Sequence, residues 1–261
     1  MKTTRYRSLT SIASLIASFA AAIILTVGIF FPVTSSADSD VVDISWPQCS
    51  GSGVESSVGH YTAGIVGVND GADFEINPCL GSEIAHFDGY TLYANTNYPS
   101  SGCSTQAGLT NRQNAFNCGY DVGIWDVTHA CSQGAQSYIW WLDVETGTRV
   151  PWSGKYSLDQ SFLTGLASAL SSHAYICSNV PVADQNNVII GYYTNPSSWA
   201  SVTGNWHVPT HNENLAWFAT GATTSSGAVN YCNSTGDFTG GPLVYVQYTA
   251  GIDYDASCRY R

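Results

Sequence analysis

Basic residues are scarce in this chain of 261 residues, which has eight Lys and Arg against 19 Asp and Glu. Three of the eight lie within the first seven residues. Beyond residue 37 the other five face all 19 acids, a net charge of −14. Proteins bind nucleic acid largely through Lys and Arg contacts to phosphates. The composition therefore excludes nucleic acid as a partner.

The sequence also lacks the short motifs of several enzyme classes. No G-x-G-x-x-G or P-loop follows a predicted strand, and no G-x-S-x-G is present, so nucleotide binding and serine-esterase chemistry have no support. The cysteines form no C-x-x-C pair, which argues against a zinc module or a thiol redox site. We expect neither a cofactor nor a metal.

The eight cysteines all lie beyond residue 48. An even number of cysteines in an exported chain indicates disulfides, here up to four. Their spacing alone does not fix the connectivity. We expect Cys103–Cys118 to close a local loop and Cys49–Cys258 to join the first and last strands.

The first residues have the pattern of a secretory signal. Lys2, Arg5 and Arg7 precede an apolar run over 12–31, and small residues end the segment at Ala37. We therefore expect 1–37 to be a signal peptide and 38–261 to be a single secreted domain that has no other membrane contact. The apolar run is nearly long enough to cross a bilayer, so an uncleaved N-terminal anchor is the alternative.

Short β-branched and aromatic runs recur along the chain and predict strands of a buried, mostly parallel sheet. Leu158, Phe162, Leu166 and Leu170 recur every four residues and predict a helix over 157–173. A weaker helix is expected around 83–87, while 99–137 resembles a disulfide-pinned loop region and 222–242 lacks a full helix. The predicted strands are 41–46, 63–70, 90–98, 138–145, 187–195, 215–221 and 243–251, with an eighth around 251–255.

This order predicts a (β/α)8 barrel of the TIM type, with some helices shortened or missing and with disulfides stabilising it. An open, doubly wound sheet is the structural alternative. In a barrel of this kind the chemistry lies at the carboxyl ends of the strands. Acids occur there on four predicted strands: Asp43 on the first, Asp70 on the second, Asp143 and Glu145 on the fourth, and Asp253 with Asp255 on the last.

Asp143 and Glu145 are two residues apart on a strand, so both side chains leave the same face, which Trp141 shares. Two carboxyls in one cavity suit glycoside hydrolysis, because one donates a proton to the leaving oxygen and the other stays charged to stabilise the oxocarbenium-like centre. A structural role for such a pair is the alternative. Few basic residues are available to pair with these acids.

Aromatic and amide side chains within or just after the strands suit a sugar ligand. Aromatic faces stack on pyranose rings, and amides bond to hydroxyl or acetamido groups. We expect half or more of the aromatic residues to be core, with Tyr193 and Trp217 the better candidates for sugar contacts. The candidate substrate-binding residues are Asp70, Tyr93, Asn95, Trp141, Tyr193, Trp217 and Gln247.

An ordered set of motifs resembles glycoside hydrolase family 25, the N-acetylmuramidase type of lysozyme. The set covers about 41–255, nearly the whole expected mature chain. Its members are VDIS with Asp43, LDVETG with Asp143 and Glu145, YTNPSSW at 193–199, LAWFA at 215–219, and VQYTAGID with Asp253.

The resemblance implies a retaining glycosidase that cleaves β-1,4 bonds of N-acetylated amino-sugar polymers such as peptidoglycan. It implies that Glu145 is the general acid/base, that Asp143 assists by positioning the acetamido group or stabilising charge, and that Asp43 and Asp253 complete an acidic floor. The substrate's acetamido group is then a candidate nucleophile. No metal is implied, and we expect a monomer.

Three strand ends depart from the family pattern: VNDG at the second, LYANTNY at the third and Val246 before Gln247 at the seventh. The alternative function is therefore a catalytically degenerate barrel that binds glycan or protein outside the cell.

Overall fold

The structure is a computed structural model that describes residues 41–49, 59–99, 101–103, 105–173, 188–209, 214–233 and 238–258. The predicted signal segment, its boundary at residue 37 and Cys177 lie outside the described residues, so the expected domain limits stay predictions. Across the described ranges, no helix combines the length and the apolar character that a membrane crossing needs.

Eight strands close into a barrel in sequence order, which confirms the predicted architecture. β1 to β7 run parallel, each paired with the next. The strands are β1 (Val41–Ile44), β2 (Tyr61–Gly67), β3 (Phe87–Asn95), β4 (Ile139–Asp143), β5 (Ile189–Thr194), β6 (Leu215–Ala222), β7 (Leu243–Ala250) and β8 (Ile252–Ser257).

β8 differs from the other strands because it runs antiparallel to both β7 and β1. Ala250 and Ile252 pair with each other, so Gly251 alone turns the chain. Its φ of +92° lies in the region that favours glycine. So short a connection reverses the chain direction, since a parallel crossover needs a dozen or more residues. The first residues of β8 therefore lie at the carboxyl ends of the parallel strands.

The helices are uneven in length, as predicted. The expected helix over 157–173 is confirmed as α4, and the connections after β2 and β6 hold only short helices. The helices are α1 (Trp46–Cys49), α2 (Leu80–Glu83), α3 (Asn111–Ser132), α4 (Tyr156–His173), α5 (Pro196–Thr203) and α6 (Ser225–Val229); short 3-10 turns, Ile84–His86 and Asn230–Asn233, follow α2 and α6.

The expectation of a loop-like region over 99–137 was wrong, because α3 fills 22 of these residues. Thr110 caps the helix by accepting a hydrogen bond from the Gln113 backbone N–H, and the Gln113 side chain accepts one from the Thr110 backbone N–H. This reciprocal capping box starts the helix. Gly119 on α3 lies directly against the backbone of α4, so the two helices pack closely.

The core has an inner and an outer layer. Trp141 belongs to the inner layer, a cluster inside the barrel with Ile65, Tyr93 and Trp217. Its β4 neighbours Trp140 and Leu142 instead pack in the outer layer, with α4 residues. The alternation predicted for the fourth strand is therefore confirmed.

Three disulfides join described cysteines: Cys49–Cys79, Cys103–Cys118 and Cys232–Cys258. The predicted Cys103–Cys118 bridge is confirmed, and the predicted Cys49–Cys258 bridge was wrong. Cys49 follows β1 at the carboxyl end of the parallel strands. Because β8 is antiparallel, Cys258 lies at the opposite end, where its backbone N–H bonds to Val244 at the start of β7.

Candidate active site

The carboxyl ends of the parallel strands gather four of the predicted acids. Asp43 pairs in register with Asp253 across β1 and β8. Asp143 is the last residue of β4, and Glu145 follows it by two positions. Asp43 and Asp143 are 8% and 7% exposed, while Glu145 and Asp253 are half-buried. The more buried pair therefore lies beside a pair that reaches solvent.

Burial and mutual repulsion raise the pKa of three of these carboxyls. For Asp43 burial is the largest cause, followed by the charge of Asp253 and, more weakly, that of Glu145. For Asp143 the causes are burial, then Glu145, then Asp43. For Glu145 they are burial and then Asp253. Each charged group that raises these pKa values is itself a carboxyl, so the cluster favours retention of protons.

Gln247 on β7 is the hydrogen-bond partner that partly offsets this effect at Asp43. Its Nε2 donates to Asp43 Oδ2 at 3.0 Å, and this bond lowers the Asp43 pKa. The Tyr193 hydroxyl donates to Gln247 Oε1 at 2.6 Å and so fixes the orientation of the amide. Among the described residues, Asp43 Oδ1 and Asp143 Oδ1 are buried and accept no hydrogen bond.

Glu145 lies just beyond β4, in a loop that is held on both sides. Its backbone oxygen accepts a hydrogen bond from Trp152 Nε1 at 2.8 Å. The next residue, Thr146, contacts Ser198 of α5 through their hydroxyls at 3.2 Å. These contacts position the backbone of a half-buried carboxyl at the mouth of the barrel.

The predicted aromatic residues form the floor of the barrel mouth. Trp141 and Trp217 are 0% and 1% exposed, with ring centroids 5.6 Å apart, and Tyr93 is buried against Trp217. Tyr193 is half-buried, and its ring centroid lies 4.3 Å from that of Trp217. Neither indole has an exposed face, so their direct contact with sugar stays a prediction. Tyr193 is the most exposed of the four.

Gly191 explains how so large a ring fits inside the barrel. A Cβ at this β5 position would lie 2.2 Å from the Trp141 ring. Only glycine therefore leaves room for the indole, which also donates to Thr91 Oγ1 at 3.1 Å. The sequence thus builds a rigid aromatic base under the acids.

Asn95 and Asp70 have different surroundings. Asn95 ends β3, is half-buried and pairs in register with Asp143, so it borders the acids. Asp70 is half-buried, and the charges that act on it are those of Glu75 and Arg149. None of the four clustered acids is among its electrostatic partners in the described part of the chain. A substrate contact by Asp70 stays a prediction.

Sequence reasoning missed two buried polar residues near the site. Glu83 of α2 is fully buried, accepts a hydrogen bond from Asn77 Nδ2 at 2.6 Å, and its charge raises the pKa of both Asp43 and Tyr93. A single glutamate in a short helix has no sequence pattern that predicts burial next to the acidic cluster. Asn69 is the second, and it bonds to Asn95. Asn69 lies two residues after Gly67, whose register partner Tyr93 points into the barrel. The alternation of side chains along a strand therefore predicts that Asn69 points inward as well.

No family model matches this sequence, and no curated protein matches it either. Among solved structures, the chain is similar to a muramidase from Trichobolus zukalii, with 17% identity, a TM-score of 0.47, and coverage of 84% of this chain and 92% of that one. It is also similar to a muramidase from Acremonium alcalophilum, with 14% identity, a TM-score of 0.46 and the same coverage.

Proposed function

We propose that this chain is a secreted glycoside hydrolase that cleaves β-1,4 bonds in polymers of N-acetylated amino sugars of the peptidoglycan type. The observation that carries the proposal is the acidic cluster itself. Besides burial, the charge of Glu145 raises the pKa values of Asp143 and Asp43, and the charge of Asp253 raises those of Asp43 and Glu145. Carboxyls of unlike protonation at one site are what glycosidic bond cleavage requires.

Glu145 is the general acid/base in this proposal. It is half-buried, so it reaches a polymer at the mouth while its raised pKa retains a proton. That proton passes to the glycosidic oxygen as the bond to the anomeric carbon breaks. The resulting Glu145 carboxylate then accepts a proton from the water that completes hydrolysis.

Asp143 assists at the anomeric centre. We propose that the acetamido oxygen of the substrate attacks the anomeric carbon, forming a cyclic oxazolinium ion, and that Asp143 accepts a hydrogen bond from the acetamido N–H. Water then opens the ring at the same carbon, so the acetamido group is regenerated and the configuration is retained. Asp143 Oδ1 accepts no hydrogen bond from the described residues and is closed off from solvent, so this contact requires the Asp143 side chain to rotate toward the acetamido N–H.

Secretion belongs to the same proposal. We propose that 1–37 is removed on export, because disulfides form and persist in oxidising compartments. Mass spectrometry of the exported chain tests the cleavage site. A chain that retains residue 1 in the membrane fraction would instead support the N-terminal anchor.

The test of the enzyme is an assay of the chain beyond residue 37 on peptidoglycan and on chitin-type oligomers, beside Glu145→Gln. We expect Glu145→Gln to lower the rate by at least about 100-fold, the usual range for loss of a general acid. Asp121→Asn, an exposed acid on α3, is the control and should leave the rate unchanged. Equal activity of Glu145→Gln would remove Glu145 from this role. Sugar binding without cleavage by the unmodified chain would instead support a glycan-binding module.

A further inference from the structure

A fully buried amide, that of Asn69, holds Asn95 at the edge of the candidate site. Asn69 follows β2 and is 0% exposed. Its Oδ1 accepts from the Asn95 backbone N–H at 3.0 Å and from Asn95 Nδ2 at 3.2 Å. Its Nδ2 donates to the Asn95 backbone oxygen at 2.9 Å. One side chain thus bonds to the backbone of Asn95 on both sides and also to its amide.

These contacts fix which atom of the Asn95 amide lies toward Asn69. Asn69 must present its oxygen to the Asn95 backbone N–H and its nitrogen to the Asn95 carbonyl. Because Asn69 Oδ1 is an acceptor, the Asn95 atom that contacts it must be the nitrogen. The Asn95 Oδ1 is therefore the atom turned away from Asn69, and it remains as a hydrogen-bond acceptor on a half-buried side chain.

Asp126 of α3 is a further buried neighbour of Asn69. The nearby Asn69 side chain lowers the pKa of the Asp126 carboxyl, whose two oxygens accept no hydrogen bond from the described residues. The orientation of Asn69 is therefore set by Asn95 alone. A buried amide that bonds to both the N–H and the carbonyl of one residue has one stable orientation. Asn69 is therefore a rigid support.

Asn95 and Asp143 are register partners on β3 and β4. Asn95 is half-buried and carries its oriented Oδ1 beside Asp143, which is buried. An accessible acceptor at this edge of the site matches a ligand group that donates hydrogen bonds. Sugar hydroxyls and the acetamido N–H both meet this requirement.

We infer that Asn69 is a positioning residue whose amide orients Asn95, and that Asn95 Oδ1 accepts a hydrogen bond from the sugar chain bound beside Asp143, either from a hydroxyl or from an acetamido N–H other than the one that Asp143 accepts. This inference rests on the proposed function. It adds a substrate contact of defined polarity and a residue, Asn69, that sets it without touching substrate.

The experiment is steady-state kinetics of Asn69→Ala, Asn95→Ala and the double variant on chitin-type oligomers. We expect each single variant to lower kcat/KM by about tenfold, mainly through KM, and the double variant to lose no more than either single one. The matched control is Asn214→Ala, which deletes another buried amide, bonded to the Val208 backbone oxygen at 2.9 Å. It should lower Tm as Asn69→Ala does and leave KM unchanged.

A second readout separates this inference from the proposed function. Calorimetry on the Glu145→Gln background, with and without Asn95→Ala, measures binding of a chitin-type trimer and of a cello-type trimer. Weaker binding of the chitin-type trimer alone assigns the donor to the acetamido N–H, and weaker binding of both assigns it to a hydroxyl. If the chain is active and Asn95→Ala changes neither its KM nor its sugar affinity, the inference is overturned and the proposed function stands. A chain that neither cleaves nor binds sugar overturns both.

Discussion

Asp43 and Asp253 lie directly opposite each other as register partners, although they belong to the first and the last strand of the barrel. The pair exists because β8 runs antiparallel and carries Asp253 to the end of the barrel where β1 ends. Thr249 Oγ1 donates to Asp253 Oδ1 at 2.6 Å, and Gln247 donates to Asp43. Two acids that would repel each other are thus held together by closure of the barrel and by separate donors from β7.

Removal of the Asp253 charge should move the alkaline limb of the pH–activity profile. Asp253 raises the pKa of Glu145, so Asp253→Asn lowers that pKa, and Glu145 loses its proton at a lower pH. The alkaline limb of kcat/KM should therefore shift to lower pH. Initial rates on chitin-type oligomers across the pH range measure it.

The control for this shift is Asp88→Asn. Asp88 is an exposed acid that pairs with His60 on the outside of the barrel and does not contribute to the Glu145 pKa. Both variants remove one negative charge, so a general effect of net charge would shift both profiles. An unchanged alkaline limb in Asp253→Asn would mean that Glu145 is not the group titrating there.

Loss of the Gln247 amide should shift the acidic limb of the pH–activity profile. Its hydrogen bond lowers the Asp43 pKa, so Gln247→Leu raises that pKa and protonates Asp43 at a higher pH. If charged Asp43 stabilises positive charge at the anomeric carbon, the acidic limb of kcat/KM moves up. Tyr193→Phe leaves the bond from Gln247 to Asp43 in place and should shift the limb less. Equal profiles for Gln247→Leu and the unmodified chain would exclude a required Asp43 charge.

The buried carboxyl of Asp126 predicts how stability depends on pH. Burial raises its pKa to about 8, well above the unfolded value, although the nearby Asn69 side chain lowers it. Between the two pKa values the folded state binds more protons than the unfolded state, so stability falls as pH rises. One such proton corresponds to a slope of at most about 1.4 kcal/mol per pH unit.

Asp126→Asn removes this titration, and the free energy of unfolding should then fall less between pH 4 and pH 8. Urea titrations at several pH values measure the slope. Asp121→Asn lies on the same helix but is exposed, so it should keep the slope of the unmodified chain. Parallel slopes for all three proteins would show that Asp126 is charged in the folded state.

The sequence predicted the barrel because each strand has its own local apolar pattern, and the strand order then follows from the chain. It also predicted Asp43, Asp143 and Asp253 as neighbours, since strand ends meet at one edge of a closed sheet. It could not place Asp70, because the loop after β2 turns that side chain toward Glu75 and Arg149. The spacing of Asn69 from Gly67 places it on the interior face, but its bonds to Asn95, 26 residues away, depend on how the chain packs beyond the end of β2, which no local pattern reveals.

α3 was missed for a different reason. Its residues include Gly119, Gly123 and several Asn, which have poor helix propensity, so the composition favours a loop. The signal that could have found the helix was the Thr110–Gln113 pair at capping-box spacing. The glycines belong to the packing: a Cβ at Gly119 would lie 2.0 Å from the Phe162 backbone oxygen of α4. Tertiary packing, which the local sequence does not show, outweighs the propensity.

The same contact between α3 and α4 also involves Gly165 of α4. Packing at this glycine decides whether its replacement by alanine raises or lowers the stability of the protein. A Cβ at Gly165 would lie 1.9 Å from the Phe116 backbone oxygen of α3, so Gly165→Ala must force the two helices apart. Alanine exceeds glycine in helix propensity by about 1 kcal/mol, so without this contact the change would be stabilising. We expect a loss of about 1–3 kcal/mol in the free energy of unfolding, because overpacking against backbone cannot be relieved by rotating a side chain. Urea denaturation measures it, and Ser161→Ala is the control. Among the described residues the Ser161 hydroxyl bonds only to the Ser157 backbone oxygen of the same helix, so its loss should change stability by no more than about 0.5 kcal/mol. A gain in stability for Gly165→Ala would contradict the close approach of α3 and α4, and with it the packing that explains why α3 is a helix.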